Sequence, residues 1–445
     1  MRMNSTALPR RIDLGRIADA FPARRIATIL ASLLLTIVII SFKPFQPAPA
    51  PGTQEGGDIV NQLGFGSLGA IAILSLACFV DRRVLASLLS PWWIILLGFL
   101  ALSVMHATDP PSAFRAAMFT VIGILTIAAV LTMPRDADSF STVLAFAGLV
   151  TVGLCYFGLV AFPVEAIHSG DSFEPQHAGF WRGSFSHKNV AGPVMACFSF
   201  AGLYLWRRGW RGVGLVLFIG AMIFMINTGS KTTAGLVPLA ILLVMLPGLI
   251  GLRKIVPLIF ALAIAGTALG TLGIVFIHPL KQLAAEHFPG MTYTGRTALW
   301  EFSGEMIAKK PWAGYGFESF WGTPFLMNTE QPFDRDWDIR GIVHGHNGYL
   351  DIAVIMGIPA LAAAVMAFLV VPLIDYLRSG PRRENVLLAD MFMMMLLFTA
   401  LNAFLESFFF RRADPVWLFF VMSVLGLRLV ARFPVATRIP DHPAS

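Results

Sequence analysis

Long apolar runs alternate with short polar breaks along most of the chain. An α-helix needs roughly 20 residues to cross the hydrocarbon core of a bilayer. The runs 26–42, 64–80, 87–105, 116–133, 141–163, 190–206, 213–228, 234–251, 255–277, 350–374, 389–409 and 416–430 therefore predict about twelve spans. Helices are the default, because a chain in lipid must satisfy its backbone N–H and C=O groups internally. The expected fold is an all-α integral membrane protein. Its expected parts are a basic N-terminus (1–25), nine spans (26–277), a loop (278–346), three more spans (347–430) and a tail (431–445).

The 278–346 loop is too long for a simple connector. Within it, "TALWEFSGEMIAKK" places Leu299, Phe302, Met306 and Ile307 at helical spacing, which predicts an amphipathic helix. Thr297 is its expected cap, with Glu301 near the positive end of the dipole and Lys309 and Lys310 at the negative end. Pro311 stops it, and "AGYGF" follows as a turn.

Composition agrees with this pattern. The chain is 56% hydrophobic and 13% charged, with a mean hydropathy of +0.71. Soluble domains carry about 25% charged residues, so a string of soluble domains is excluded. A net charge of +7 would hint at nucleic acid in a soluble protein. Here the excess falls in the N-terminus, the breaks at Asp81, Pro134, Arg207, Leu252 and Arg378, and the tail. That distribution orients the helices, with both termini cytoplasmic and no nucleic-acid partner. The apolar run after "RIDLGRIADAFPARR" is long for a signal-peptide core, which predicts a retained first helix. Cys78, Cys155 and Cys197 lie inside apolar runs and read as small hydrophobes.

The polar groups that resist this pattern lie on the opposite side. "RGSFSHKN" offers Arg182, His187, Lys188 and Asn189 at the mouth of a span. Such residues often only anchor a helix end, but four together favour a ligand. "NTGSKTTAG" holds Lys231 in a tight turn and lacks the Walker spacing. It is either a hydrophilic turn or, with helix-start N–H groups, an anion site. Arg296 stands at the start of the amphipathic helix, against the dipole. Either a carboxylate such as Glu301 or a bound anion must favour it there. "GIVHGHNGYL" gathers His344, His346, Asn347 and Tyr349 before a span. Asn347 can cap that span, and a histidine can move a proton. No metal-ligand pattern such as HExxH is present. Asn402 and Glu406 sit one turn apart in the expected 389–409 span, where an ionisable residue marks a functional site. The acidic "DRD" at Asp334 reads as solvated charge.

Three of these features, "SFSHKN" at a span mouth, "GRTALWEFSGEMIAKKPWAGYGFESFW" in the long loop and "HGHNGYLD" leading into the next span, occur in an order that resembles the O-antigen ligase and Wzy-type polymerase superfamily. The "HKN" form is similar to its exopolysaccharide-repeat polymerases. The resemblance covers roughly residues 180–375. It implies a membrane glycosyltransferase of the bacterial inner membrane that needs no metal or other cofactor. Such an enzyme passes a glycan from undecaprenyl pyrophosphate to an acceptor hydroxyl at the periplasmic face. The partners implied are that lipid-linked oligosaccharide, the acceptor, the bilayer and a chain-length regulator. The family's loop arginine matches Arg296, and its His-Asn pair matches His346 and Asn347. Lys231 matches a turn position where arginine is usual, and His344 falls outside the pattern.

On this reading Arg296 and His346 are catalytic. Lys231, Arg182, His187, Lys188, Asn189, His344, Asn347, Tyr349 and Glu406 hold pyrophosphate or glycan. A polymerase is the expected function, with O-antigen ligase as the alternative. A polysaccharide transporter or flippase would instead place paired charges deep in several spans.

Overall fold

Among the described residues, ten helices are long and apolar enough to cross a membrane, and a bent pair supplies an eleventh. The structure is a computed structural model that describes residues 21–46, 58–170, 175–288, 293, 295–329, 338, 340 and 342–437. The "DRD" run at Asp334 and most of the N-terminal and C-terminal segments lie outside the described residues. The chain is an all-α, multi-pass membrane protein.

In chain order the principal helices are α1 (Phe21–Ile40), α2 (Ile59–Phe79), α3 (Arg82–Leu88), α4 (Pro91–Met105), α5 (Pro110–Thr132), α6 (Ala137–Ala161), α7 (Lys188–Arg208), α8 (Arg211–Asn227) and α9 (Lys231–Leu249). There follow α10 (Arg253–Phe276), α11 (His278–His287), α12 (Arg296–Lys309), α13 (Gly348–Met356), α14 (Ile358–Arg378), α15 (Arg383–Asn402) and α16 (Pro415–Arg432). Their starts carry local signals. Asp58, Asp81, Asp109, Asp136 and Asp414 accept first-turn N–H groups, and Pro91, Pro110 and Pro415 occupy first-turn positions.

Helices α7, α15 and α16 are enclosed by the rest, with Phe198, Phe398, Trp417 and Phe419 fully buried. α7 and α8 form a hairpin whose backbones nearly touch. A Cβ on Gly202 would lie 2.6 Å from the Phe218 N, so only glycine fits. The outer helices keep large apolar residues exposed, such as Leu74, Phe157, Val216 and Leu262, as a lipid-facing surface requires.

Three expectations are corrected. The run at 350–374 is not one helix. Gly357, with φ of +87°, breaks it into α13 and α14. The Ile358 N then bonds the Pro311 O of the returning loop. The 389–409 run stops being helical at Asn402. Beyond it the Ala403 and Glu406 carbonyls accept from the Gly348 N, and the Phe404 carbonyl accepts from Asn347 Nδ2. Backbone acceptors spent this way cannot extend the helix, so Glu406 lies in an irregular segment rather than inside a span. The amphipathic helix α12 exists and buries Leu299, Phe302 and Met306. However, it starts two residues early, with Gly295 at φ +82° as its cap in place of Thr297.

Several arginines of the basic breaks and of α16 are ion-paired within the protein. Arg207 and Arg253 both meet Asp390, Arg208 bridges Glu384 and Asp138, and Arg432 meets Asp375. This network sits at the C-terminal end of α7. The 21 residues of α7 separate it from the candidate site by about 30 Å at 1.5 Å per residue.

Candidate active site

Four segments distant in sequence converge where α7 and α12 begin and α15 ends. From α12 comes Arg296. Its Nη2 donates to Glu406 Oε1 at 2.9 Å and lies 3.4 Å from His346 Nδ1. His346 Nδ1 lies 3.5 Å from Glu406 Oε2. From α7, Asn189 Nδ2 donates to Glu406 Oε1 at 3.1 Å. One carboxylate thus gathers a guanidinium, an imidazole and an amide. Arg296, His346 and Glu406 all remain partly accessible. Glu301, the sequence candidate for Arg296, is instead paired with Lys281 at 2.6 Å.

The segment that carries His346 is held rigidly from behind. His346 itself has a left-handed backbone, φ +49°, which is unusual for a non-glycine residue. Neighbouring bonds impose it. Trp300 Nε1 donates to the Gly345 O, and the Gly345 N donates to Asp351 Oδ1 at 3.1 Å. Trp321 Nε1 fills the same Asp351 oxygen at 2.7 Å. Asn347 is fully buried and caps α13, with Oδ1 accepting from the Tyr349 and Leu350 N–H groups. Its own N donates to Ser407 Oγ. Tyr349 is buried, with its hydroxyl donating to the Ala400 O. Asn347 and Tyr349 therefore clamp the 400–407 segment against the histidines.

Electrostatics follow from this crowding. Burial alone would push the Glu406 carboxyl up. The hydrogen bond from His346 and the electrostatic influence of His346, Arg296 and His187 outweigh it and leave the group below the usual carboxylate range. His344 packs edge-on against His346, ring centroids 4.1 Å apart. Burial first, then His346, Arg411, Arg296 and His187, hold it well below an ordinary histidine, so it stays neutral. A fixed cation, a neutral ring and an imidazole backed by a carboxylate form a site suited to an anionic leaving group and a proton transfer.

The remaining sequence candidates sit in the loop before α7, in its first turn, at the start of α9 and at the end of α15. His187 caps α7, and Lys188 is buried with its Nζ 4.3 Å over the Phe180 ring. Lys231 is exposed at the first position of α9, in a turn tied to α7. A Cβ on Gly192 would meet Thr228 Oγ1 at 3.1 Å, and the Trp181 N donates to the Asn227 O. Gly229 at φ +64° makes the turn possible. Arg182 is buried and donates to the Gln46 and Ser186 carbonyls. Asn402 is buried at the end of α15. The sequence reading missed His168 and His177, whose rings flank His187 at 4.8 and 5.2 Å. Nothing in their isolated positions signals it.

Residues 213–365 match the family model described as O-antigen ligase. The matched stretch contains Lys231, Arg296, His344, His346 and Asn347. No curated protein matches the chain.

Proposed function

We propose, from the match of residues 213–365 to the O-antigen ligase family model, that this chain belongs to the O-antigen ligase and Wzy-type polymerase superfamily and is a polysaccharide polymerase of the bacterial inner membrane. It transfers glycan repeats from undecaprenyl pyrophosphate to an acceptor hydroxyl at the periplasmic face, without a metal. The meeting of Arg296, His346 and Glu406 at hydrogen-bond range supports this reading most directly.

The bond between the anomeric carbon and the pyrophosphate oxygen breaks, and a bond from that carbon to the acceptor oxygen forms. Charge grows on the departing diphosphate, and Arg296 is placed to stabilise it with a forked contact. Lys231 and Lys188 add positive charge along the path to the bilayer, and Arg182 supports the loop that leads into Lys188. The acceptor proton goes to His346. With its Nδ1–H directed at Glu406, His346 leaves Nε2 to receive that proton, and the carboxylate steadies the imidazolium. Asn189 and Arg296 hold Glu406 for this task. His344, kept neutral, walls the site without competing for the proton. Asn347 and Tyr349 fix the segment that carries both histidine and carboxylate. In this orientation the Arg207, Arg208 and Arg253 network faces the cytoplasm, along with both termini. A chain-length regulator is a further proposed partner.

A ligase would use the same groups and differ in its acceptor. A flippase reading loses support, since among the described residues these ion pairs lie at the two ends of α7 rather than along a path across the bundle. The test is turnover of purified protein with defined lipid-linked repeats, offered either further repeats or a lipid A-core acceptor. Ladders of repeats from the first mixture support the polymerase. Products only from the second make it a ligase, and no product from either overturns the glycosyltransferase reading.

A further inference from the structure

The first turn of α7 is capped by two histidines. His187 Nδ1 accepts from the Asn189 N at 3.1 Å, and His168 Nε2 accepts from the Lys188 N at 3.1 Å. Both are successive N–H groups that an α-helix leaves without internal partners. Histidine is not among the preferred capping residues, which are Asn, Asp, Ser and Thr. Unlike those, it loses its acceptor when it gains a proton. Each ring here must carry its single proton on the far nitrogen and be uncharged. The same tautomers argue against a shared metal, because a ligating nitrogen would need the capping one to be protonated. Among the described residues no His, Cys, Asp and Glu group is arranged to hold a metal ion.

We propose that His187 and His168 are positioning residues that make the site proton-sensitive: uncharged, they hold the α7 first turn that delivers Asn189 to Glu406. This inference rests on the proposed function only for its link to transfer. Protonation of either ring removes an acceptor and puts a cation at the positive end of the helix dipole. Several cationic or titratable groups lie near that cation. Lys188 lies on the same turn, His177 stands 5.2 Å from His187 and 5.7 Å from His168, and Arg182 binds the Ser186 O beside them. Across the site are His344, His346, Arg296 and Arg411, with Glu406 joined through Asn189, and Glu165 acts on Arg182. Acid therefore frees the turn, withdraws Asn189 and loosens Glu406 from Arg296 and His346.

The experiment uses the full chain in lipid nanodiscs. Amide hydrogen exchange of residues 188–192, corrected for intrinsic rate, is followed from about pH 8 to about pH 5, bracketing the ordinary histidine range, alongside transfer rate. The His187→Asn, His168→Gln double variant supplies acceptors that do not titrate. The single His187→Ala variant removes a cap. The wild-type turn should lose at least 10-fold of its protection as the pH falls, and the double variant should keep it. His187→Ala should lower transfer about 5-fold at neutral pH, the equivalent of about 1 kcal/mol of capping. His187→Asn should restore most of that and flatten the acid limb of the rate. Equal acid loss of protection in wild type and double variant overturns the proposal, as does protection independent of pH in both. If exchange behaves as expected while transfer is absent at every pH, the clamp stands and the proposed function fails.

Discussion

Arg296 and Glu406 stand 110 residues apart in the chain and 2.9 Å apart in the fold, and His346 touches both. A cation at the start of a helix is unfavourable alone, so the carboxylate explains how Arg296 is tolerated there. In the proposed reaction it also holds the guanidinium that would meet the departing diphosphate.

Replacing Arg296 by Ala should lower transfer by about 10²–10³-fold, the usual loss for one fixed donor to a developing anion. Arg296→Lys should recover only part of it, since an ammonium makes no forked contact. Glu406→Gln should reduce the maximal rate more than donor affinity, because it weakens the support of His346 rather than a substrate contact. Steady-state kinetics with lipid-linked donor measure all three. A normal rate in Arg296→Ala would remove the leaving-group role.

The neutral, buried His344 predicts a pH-dependent stability. Its folded pKa lies well below 6.5, so the unfolded chain binds a proton that the folded one refuses. The stabilising contribution is whole above about pH 6.5 and is lost as the pH falls toward the folded value. The loss is about 1.4 kcal/mol per pH unit in that window. Glu406, also depressed, has its effect only below its ordinary 4.5. Thermal melts across this range should slope downward in acid for wild type. His344→Asn keeps an acceptor for the His346 N and should flatten that slope.

Much of this was legible in the residues, and what was not has a physical cause. Hydropathy exposed the helices, and "HGHNGYL" and "GRTALW" stood out because polar groups are conspicuous in an apolar chain. Glu406 was noticed but set inside a span, since an apolar run does not reveal that Asn347 and Gly348 capture the carbonyls after Asn402. The break at Gly357 was hidden in the same way. His168 and His177 carry no local pattern, and only the fold of the loop before α7 brings them to His187. A count of basic residues found Arg207 and Arg253 but not Asp390, the acid that holds them.

That acid gives a stability prediction. Asp390 is buried and accepts from Arg207, Arg253 and the Tyr376 hydroxyl. Asp390→Ala leaves two partly buried guanidiniums and a phenol without it, which should cost about 3 kcal/mol. The site lies about 30 Å away along α7, so the protein that remains folded should keep its donor affinity. Melting temperature and donor binding, measured on the same preparation, check both halves.

Asn347 offers the sharpest test of how the site is built. It is wholly buried, caps α13 through two N–H groups, and donates to the Phe404 carbonyl beside Glu406. Asn347→Ala removes the cap, at about 1 kcal/mol, and strands a buried carbonyl at about 1–3 kcal/mol more. A total loss of about 2–4 kcal/mol is expected in stability. Asn347→Asp keeps the accepting oxygen but faces the Phe404 carbonyl with a second acceptor, so it should restore the cap and not the hold on the 403–407 segment. If that hold places Glu406, Asn347→Asp will lower the maximal rate without restoring it when stability is rescued by cooling. The double variant with Glu406→Gln will then lose less than the two single effects combined. Additive losses would show that Asn347 serves the fold alone.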